Sequence, residues 1–155
     1  MSRILMLYAS NTGNTEQVME IIKDFLQSKQ YDIVVKSFEF DPIDEKEVLA
    51  YDAVLIGTYT WDDGELPYEV EDFYEDIEEV DINGVVMGVF GSADSFYDTY
   101  GGAVDLMADR LEALGAEVLS QRLKVDLEPD KEDEKSCRMF AEAMMEKILQ
   151  KSHPI

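Results

Sequence analysis

The chain has 155 residues, of which 46% are apolar, and carries a formal charge of -22. This length suits one domain with a sizeable core, expected to span residues 1–155, and the apolar share excludes wholesale disorder. So negative a chain repels nucleic acid and anionic lipid, which leaves a solubilising surface or an acidic docking face for a basic protein.

Cys137 is the only cysteine, so no internal disulfide can form, as suits a reducing compartment. The apolar run at the N-terminus is too short for a secretion signal, and no stretch approaches the roughly 18 apolar residues of a membrane span. The expectation is a soluble, monomeric, cytoplasmic protein.

The short apolar run Ile4–Ala9 predicts a strand covered on both faces. From Asn14 onward, Val18, Ile21, Ile22 and Phe25 recur at helical spacing. A second strand is predicted over Asp32–Phe38 and a third over Ala53–Ile56, ending at Gly57. Pro67 opens a helix with the stripe Val70, Phe73, Tyr74 and Ile77. Val85–Phe90 reads as a fourth strand ending at Gly91. Val104, Met107, Ala108 and Leu111 mark a helix stopped near Gly115. Val118–Leu119 and Leu123–Val125 fit one interrupted strand, and Cys137, Phe140, Ala141, Met144 and Ile148 line a last helix. The acid-rich stretches Glu39–Glu47 and Asp126–Glu134 read as solvated loops or helix starts. Strands and helices alternate with short links, which argues for an α/β fold with a parallel sheet and helices on both faces.

In such sheets ligands bind beyond the C-terminal strand ends. Three segments lie there: Ser10–Thr15, Thr58–Glu65 and Ser92–Gly102. The first, SNTGNT, has five hydroxyl or amide side chains, one glycine and no cation. A bend at Gly13 before a helix start can wrap backbone N–H groups around an anion, with Ser10, Thr12, Asn14 and Thr15 adding neutral donors. The alternative is that Thr12 or Asn14 merely caps the helix. It is neither a Walker loop nor G-x-G-x-x-G, and a compact neutral cradle suits a terminal monophosphate. Trp61, the only tryptophan, follows a strand end and either covers the core edge or walls a planar ligand. Tyr97 in the third segment offers a second flat wall. Cys137 on its apolar stripe reads as core and His153 as tail, so no metal constellation is expected.

These motifs resemble those of the flavodoxin family, in its short-chain bacterial form. Ser10-Asn11-Thr12-Gly13-Asn14-Thr15 resembles the family's phosphate loop. Thr58-Tyr59-Thr60-Trp61 followed by Asp63-Gly64-Glu65-Leu66-Pro67 resembles its first flavin loop, and Gly91-Ser92, Asp94-Ser95, Tyr97 and Gly102-Ala103-Val104-Asp105 its second. The likeness spans the chain in order and spacing. It implies a doubly wound, five-stranded parallel sheet in the order 2-1-3-4-5 and non-covalently bound FMN as cofactor. Ser10 to Thr15, helped by Thr58 and Thr60, would hold the phosphate. Tyr59, Asp62 and Asp63 would complete the first flavin loop, with Trp61 on the inner flavin face and Tyr97 on the outer. Ser92, Ala93, Asp94 and Gly101 would form the second loop, backbone groups of Ser92, Asp94 and Gly101 meeting the pyrimidine edge. The insertion that splits the last strand in long-chain members has no room between Gly115 and Val125.

The resemblance further implies a low-potential one-electron carrier shuttling between semiquinone and hydroquinone, without substrate turnover of its own. Its partners would be an NADPH-dependent reductase as donor and haem or iron–sulfur proteins as acceptors. Acidic groups beside an anionic reduced flavin lower its potential, each by about 0.8 kcal/mol at about 10 Å and an effective dielectric of about 40. From Asp62 to Glu79, ten of eighteen residues are acidic and none is basic, an expected docking face. Alternatives are a flavin-dependent quinone reductase and an activator of ribonucleotide reductase. A two-component receiver domain lacks support, because Ser10-Asn11 and Thr58-Tyr59 stand where it needs acids.

Two positions depart from the family pattern. Ala93 stands where glycine is common, which affects close backbone approach. Asp62 stands where the family often has glycine after the tryptophan, at a peptide that turns over on half-reduction. A positive φ costs aspartate roughly 1–2 kcal/mol, or roughly 40–80 mV for one electron. Asp62→Gly is therefore expected to widen the gap between the two potentials by that amount. Redox titration measures it, and an unchanged gap removes the idea.

Overall fold

The computed structural model describes residues 2–61, 64–94 and 100–152. Asp62, Asp63, Ser95, Tyr97, Asp98 and His153 lie outside them. Elements alternate as the pattern requires: β1 (Arg3–Tyr8), α1 (Asn14–Ser28), β2 (Asp32–Ser37), β3 (Ala53–Gly57), α2 (Tyr68–Asp76), β4 (Val86–Ala93), α3 (Gly102–Ala113), β5 (Glu117–Val118), β6 (Leu123–Asp126) and α4 (Lys131–Ser152). The sheet order is β2-β1-β3-β4-β5, with β6 also on β4 and all pairings parallel. The order implied by the resemblance is the observed one.

β5 and β6 are the two pieces of the interrupted fifth strand. Met87 pairs Val118 and Phe90 pairs Leu123, so five residues of the edge advance against three of β4. β4 runs three residues beyond the expected end at Phe90, because Phe90 through Ala93 pair with Leu123 through Asp126. The glycine at 91 does not stop a strand whose ladder is satisfied on the next strand. Pro67 proves to be the residue before the helix, with φ -61, and α2 continues as one 3-10 turn over Ile77–Glu79. Another 3-10 segment, Glu45–Ala50, breaks the first acid-rich stretch and starts at Asp44, whose carboxylate accepts from the Lys46 N–H.

Strand side chains alternate between faces. Ile4 and Met6 of β1 pack with Val18, Met19 and Ile22 of α1 and with Phe140, Ala141 and Met144 of α4. Leu5 and Leu7 pack with Val70, Phe73 and Ile77 and with Met107, Ala108 and Leu111 of α3. Each face of the sheet therefore has its own core, and β1 and β3 are buried on both. Cys137 is fully buried in the first of them, where burial pushes its thiol up to about 12. It is a core residue, as its stripe predicts. Covered on both faces, the sheet leaves its C-terminal strand ends as the place where loops can gather.

Candidate functional site

β1, β3 and β4 end beside one another, and main-chain hydrogen bonds lock their exits. Ala9 N–H donates to the Gly57 carbonyl (2.9 Å), Thr58 to Phe90 (3.0 Å) and Thr60 to Ser92 (3.3 Å). An open cleft of about 300 Å³ lies above them. It is walled by Asn11, Thr12 and Asn14 from the first loop, Tyr59, Thr60 and Trp61 from the second, and Ser92, Ala93 and Asp94 from the third. All three predicted segments thus converge on one cavity. Among the described lining residues there is no cation, so an anion there would be met by neutral donors.

The first loop is shaped by Gly13, which precedes α1 with φ 91 and ψ -5. This left-handed conformation comes easily only to glycine. No Thr12 or Asn14 cap forms: Gly13 is itself the N-cap residue and contributes no side chain. The Ser10 hydroxyl accepts from the Glu16 N–H (3.2 Å), serving one of the amides that the first turn leaves without helical partners. The remaining first-turn amides and the helix's positive end sit at the loop that lines the cleft.

Thr15 and Thr58 are fully buried behind the cleft wall. The Thr15 hydroxyl lies 2.6 Å from that of Ser92, tying α1 to β4, and the Thr58 hydroxyl donates to the Tyr59 carbonyl (2.8 Å). Both are supports for the loops. The Thr60 hydroxyl accepts from the Ala103 N–H (3.3 Å) and so ties the second loop to the start of α3.

Trp61 is 52% exposed, with its ring edge-on to Tyr59 (6.5 Å, 75°). The Tyr59 hydroxyl donates to Glu69 at 2.5 Å, and burial followed by this bond pushes its phenol well above the usual range. The Trp61 backbone exchanges two 2.8 Å hydrogen bonds with Glu65, closing the loop through Gly64. The indole is thus braced on one edge and left open on a face, unlike a residue covering the core. Gly101 is the residue before α3, with φ 66, and is not among the residues that line the cleft. Asp62, Asp63 and Tyr97 belong to the undescribed residues.

Sequence reading missed Leu127. It lines the cleft, is half exposed, has φ 58 and donates its N–H to the Ala93 carbonyl (2.8 Å). The available signal was an apolar residue directly after a strand in an acid-rich stretch. Left-handed φ in a leucine is costly and persists only where surrounding contacts over-determine it.

The flavodoxin family model matches residues 6–140. The chain belongs to the flavodoxin family. Members bind FMN and transfer electrons, so FMN is its cofactor. "Probable flavodoxin 1" of Bacillus subtilis (strain 168) is 43% identical over 94% of this flavodoxin and 91% of its own length. The crystal structure of oxidised flavodoxin 1 from Bacillus cereus superposes with a TM-score of 0.89 at 36% identity, covering 94% and 98% of the two chains. That of oxidised flavodoxin 2 from the same organism gives 0.88 at 42%, covering 94% and 99%. The cleft fits FMN on its own terms. A polar loop at a helix N-terminus suits the phosphate, and the open indole face of Trp61 beside Leu127 suits a flat, largely apolar ring. Among the described residues, no helix is long and apolar enough to cross a membrane, and no group of His, Cys, Asp and Glu is placed to hold a metal ion.

Proposed function

We propose that the chain is a low-potential, one-electron carrier built as a single domain around one FMN. It takes electrons from an NADPH-dependent reductase and passes them to haem or iron–sulfur enzymes. The observation that carries this reading is the half-exposed Trp61 at an open cleft beside an acid-rich helix. A cofactor held there stays near the surface, where a docked protein can exchange electrons with it.

FMN bound there supplies the redox chemistry, and the protein supplies binding and electrostatics. The Ser10 to Thr15 loop, with Thr60, holds the phosphate through neutral donors. Trp61 stacks on the inner face of the ring and Tyr97 on the outer, the latter resting on the motif resemblance, as do the roles of Asp62 and Asp63. Backbone groups of Ser92, Asp94 and Gly101 meet the pyrimidine edge, next to Ala93. Asp94 and Glu65 place negative charge around a ring that gains charge on full reduction, which favours a low second potential.

The acid run of α2 supports steering of a basic partner. Association with such a reductase is expected to slow at least severalfold between about 0.01 M and 0.15 M salt, as the screening length shrinks from about 30 Å to about 8 Å. Stopped-flow measurements give the slope, and salt-independent rates would remove the steering.

Two measurements test the whole reading. Stepwise reduction of the purified protein should pass through a stable half-reduced form in its visible spectrum. Incubation with NADPH and a quinone, without a reductase, should give no steady-state turnover. Sustained turnover by the protein alone would make it an enzyme.

A further inference from the structure

Lys124 is a cation on β6, the strand that pairs with the end of β4. It stands opposite Gly91 of β4, and its side chain is only 24% exposed. Its ammonium donates to Asp105 Oδ2 (2.6 Å) and to the Tyr100 carbonyl (3.3 Å). Its stem lies against Gly101, where an added Cβ would fall 2.5 Å from the lysine Cδ. Asp105, in the first turn of α3, is gripped from the other side by Arg122 (3.0 Å to Oδ1), which also reaches Asp109 at 2.6 Å. Burial would raise the Asp105 carboxyl, but its hydrogen bonds to Lys124 and Arg122 outweigh that and hold it below the usual carboxylate range.

The Tyr100–Gly101 peptide is trans, as no cis bond occurs among the described residues. In a planar trans peptide the C=O and the N–H point to opposite sides. Fixing the Tyr100 carbonyl therefore fixes the Gly101 N–H. A glycine at this joint, with φ 66, would otherwise let the peptide rotate easily.

We propose that Lys124, locked by Asp105, is a positioning residue that sets the direction of the Gly101 N–H at the edge of the FMN site. The inference rests on the proposed reading in which FMN binds in the cleft and a Gly101 backbone group meets its pyrimidine edge. The ion pairs involved are partly exposed, and such pairs add little to stability. Their effect appears in ligand affinity, where a misdirected donor loses a hydrogen bond.

The test compares FMN affinity, by flavin-fluorescence titration, in the unaltered protein and three variants. Lys124→Met keeps the stem over Gly101 and removes the ammonium; its Kd is expected to rise roughly tenfold. Asp105→Asn frees the lysine and should raise the Kd several-fold. Lys124→Arg should recover most of the affinity. Far-UV circular dichroism confirms folding, and Lys124→Met should also lower the second reduction potential. Charge alone predicts the opposite for the aspartate, since deleting an anion near a phosphate-bearing ligand tightens binding. Tighter binding in Asp105→Asn, or unchanged binding in Lys124→Met, overturns the positioning role alone. An unaltered protein that takes up no FMN overturns the cofactor assignment first and this inference with it.

Discussion

Trp61→Ala is expected to weaken FMN binding by roughly ten- to a hundredfold while leaving the fold intact. The indole is half exposed, and the ring contact it makes is one edge on Tyr59. Its removal therefore opens little core. A stacked flavin, in contrast, would hide one whole face of the indole. Hiding about 80 Å² at about 25 cal/mol per Å² contributes roughly 2 kcal/mol, and each 1.4 kcal/mol is about tenfold in affinity. The aromatic face is also electron-rich and disfavours added negative charge above it. The same variant should then raise the second potential, because a repulsive surface has gone. Trp61→Phe should fall between. Fluorescence titration gives the affinity and spectroelectrochemistry the potential. A Kd within twofold of the unaltered protein would mean that the indole is not a wall of the FMN site.

Gly91→Ala is expected to cost stability and affinity together. Gly91 lies in β4, flanked by the bonds from Thr58 N–H to Phe90 and from Thr60 N–H to Ser92. A Cβ there would collide with the Thr58 carbonyl oxygen and come within 2.8 Å of Val104 Cγ2. A side chain can swing away, but a backbone carbonyl moves only with its loop. Overpacking of this kind costs roughly 1–3 kcal/mol, which for a chain of this size lowers Tm by roughly 3–10 °C. The displaced loop is the one carrying Thr60 and Trp61, so FMN affinity should fall as well. Calorimetry and titration on one preparation check both. A normal Tm would show that β3 and β4 can spread at no cost, against the close approach of the Thr58 carbonyl to Gly91.

The two results would separate ways of holding a ligand. Trp61 contributes surface, and its loss is felt almost entirely in binding. Gly91 contributes the absence of a side chain, and its loss is felt in the scaffold before the ligand. Thr15 and Thr58 belong with Gly91 in this respect. The buried Thr15 hydroxyl joins α1 to β4 behind the cleft, and that of Thr58 braces its own loop at the Tyr59 carbonyl.

The order of elements, the two-sided burial of β1 and β3 and the gathering of three polar loops at one end were legible from the chain. Runs such as Ile4–Ala9 have no polar alternation, which only a strand covered on both faces tolerates. The helical stripes of α3 and α4 were equally plain, because Leu111 and Ile148 repeat at the spacing that a buried face demands. What three dimensions decided was which donors face the cleft. Thr12 and Thr15 read alike in sequence, yet one lines the cavity and the other is buried against Ser92. The end of β4 was set by Leu123 to Asp126, more than thirty residues away, whose pairing carries the strand past Gly91. Leu127 reaches the cleft at the end of that same pairing. Periodicity is a local property and reports which face of an element is buried. Side-chain direction at a loop and the partner across a ladder are set by distant segments, and only the packed chain brings those together.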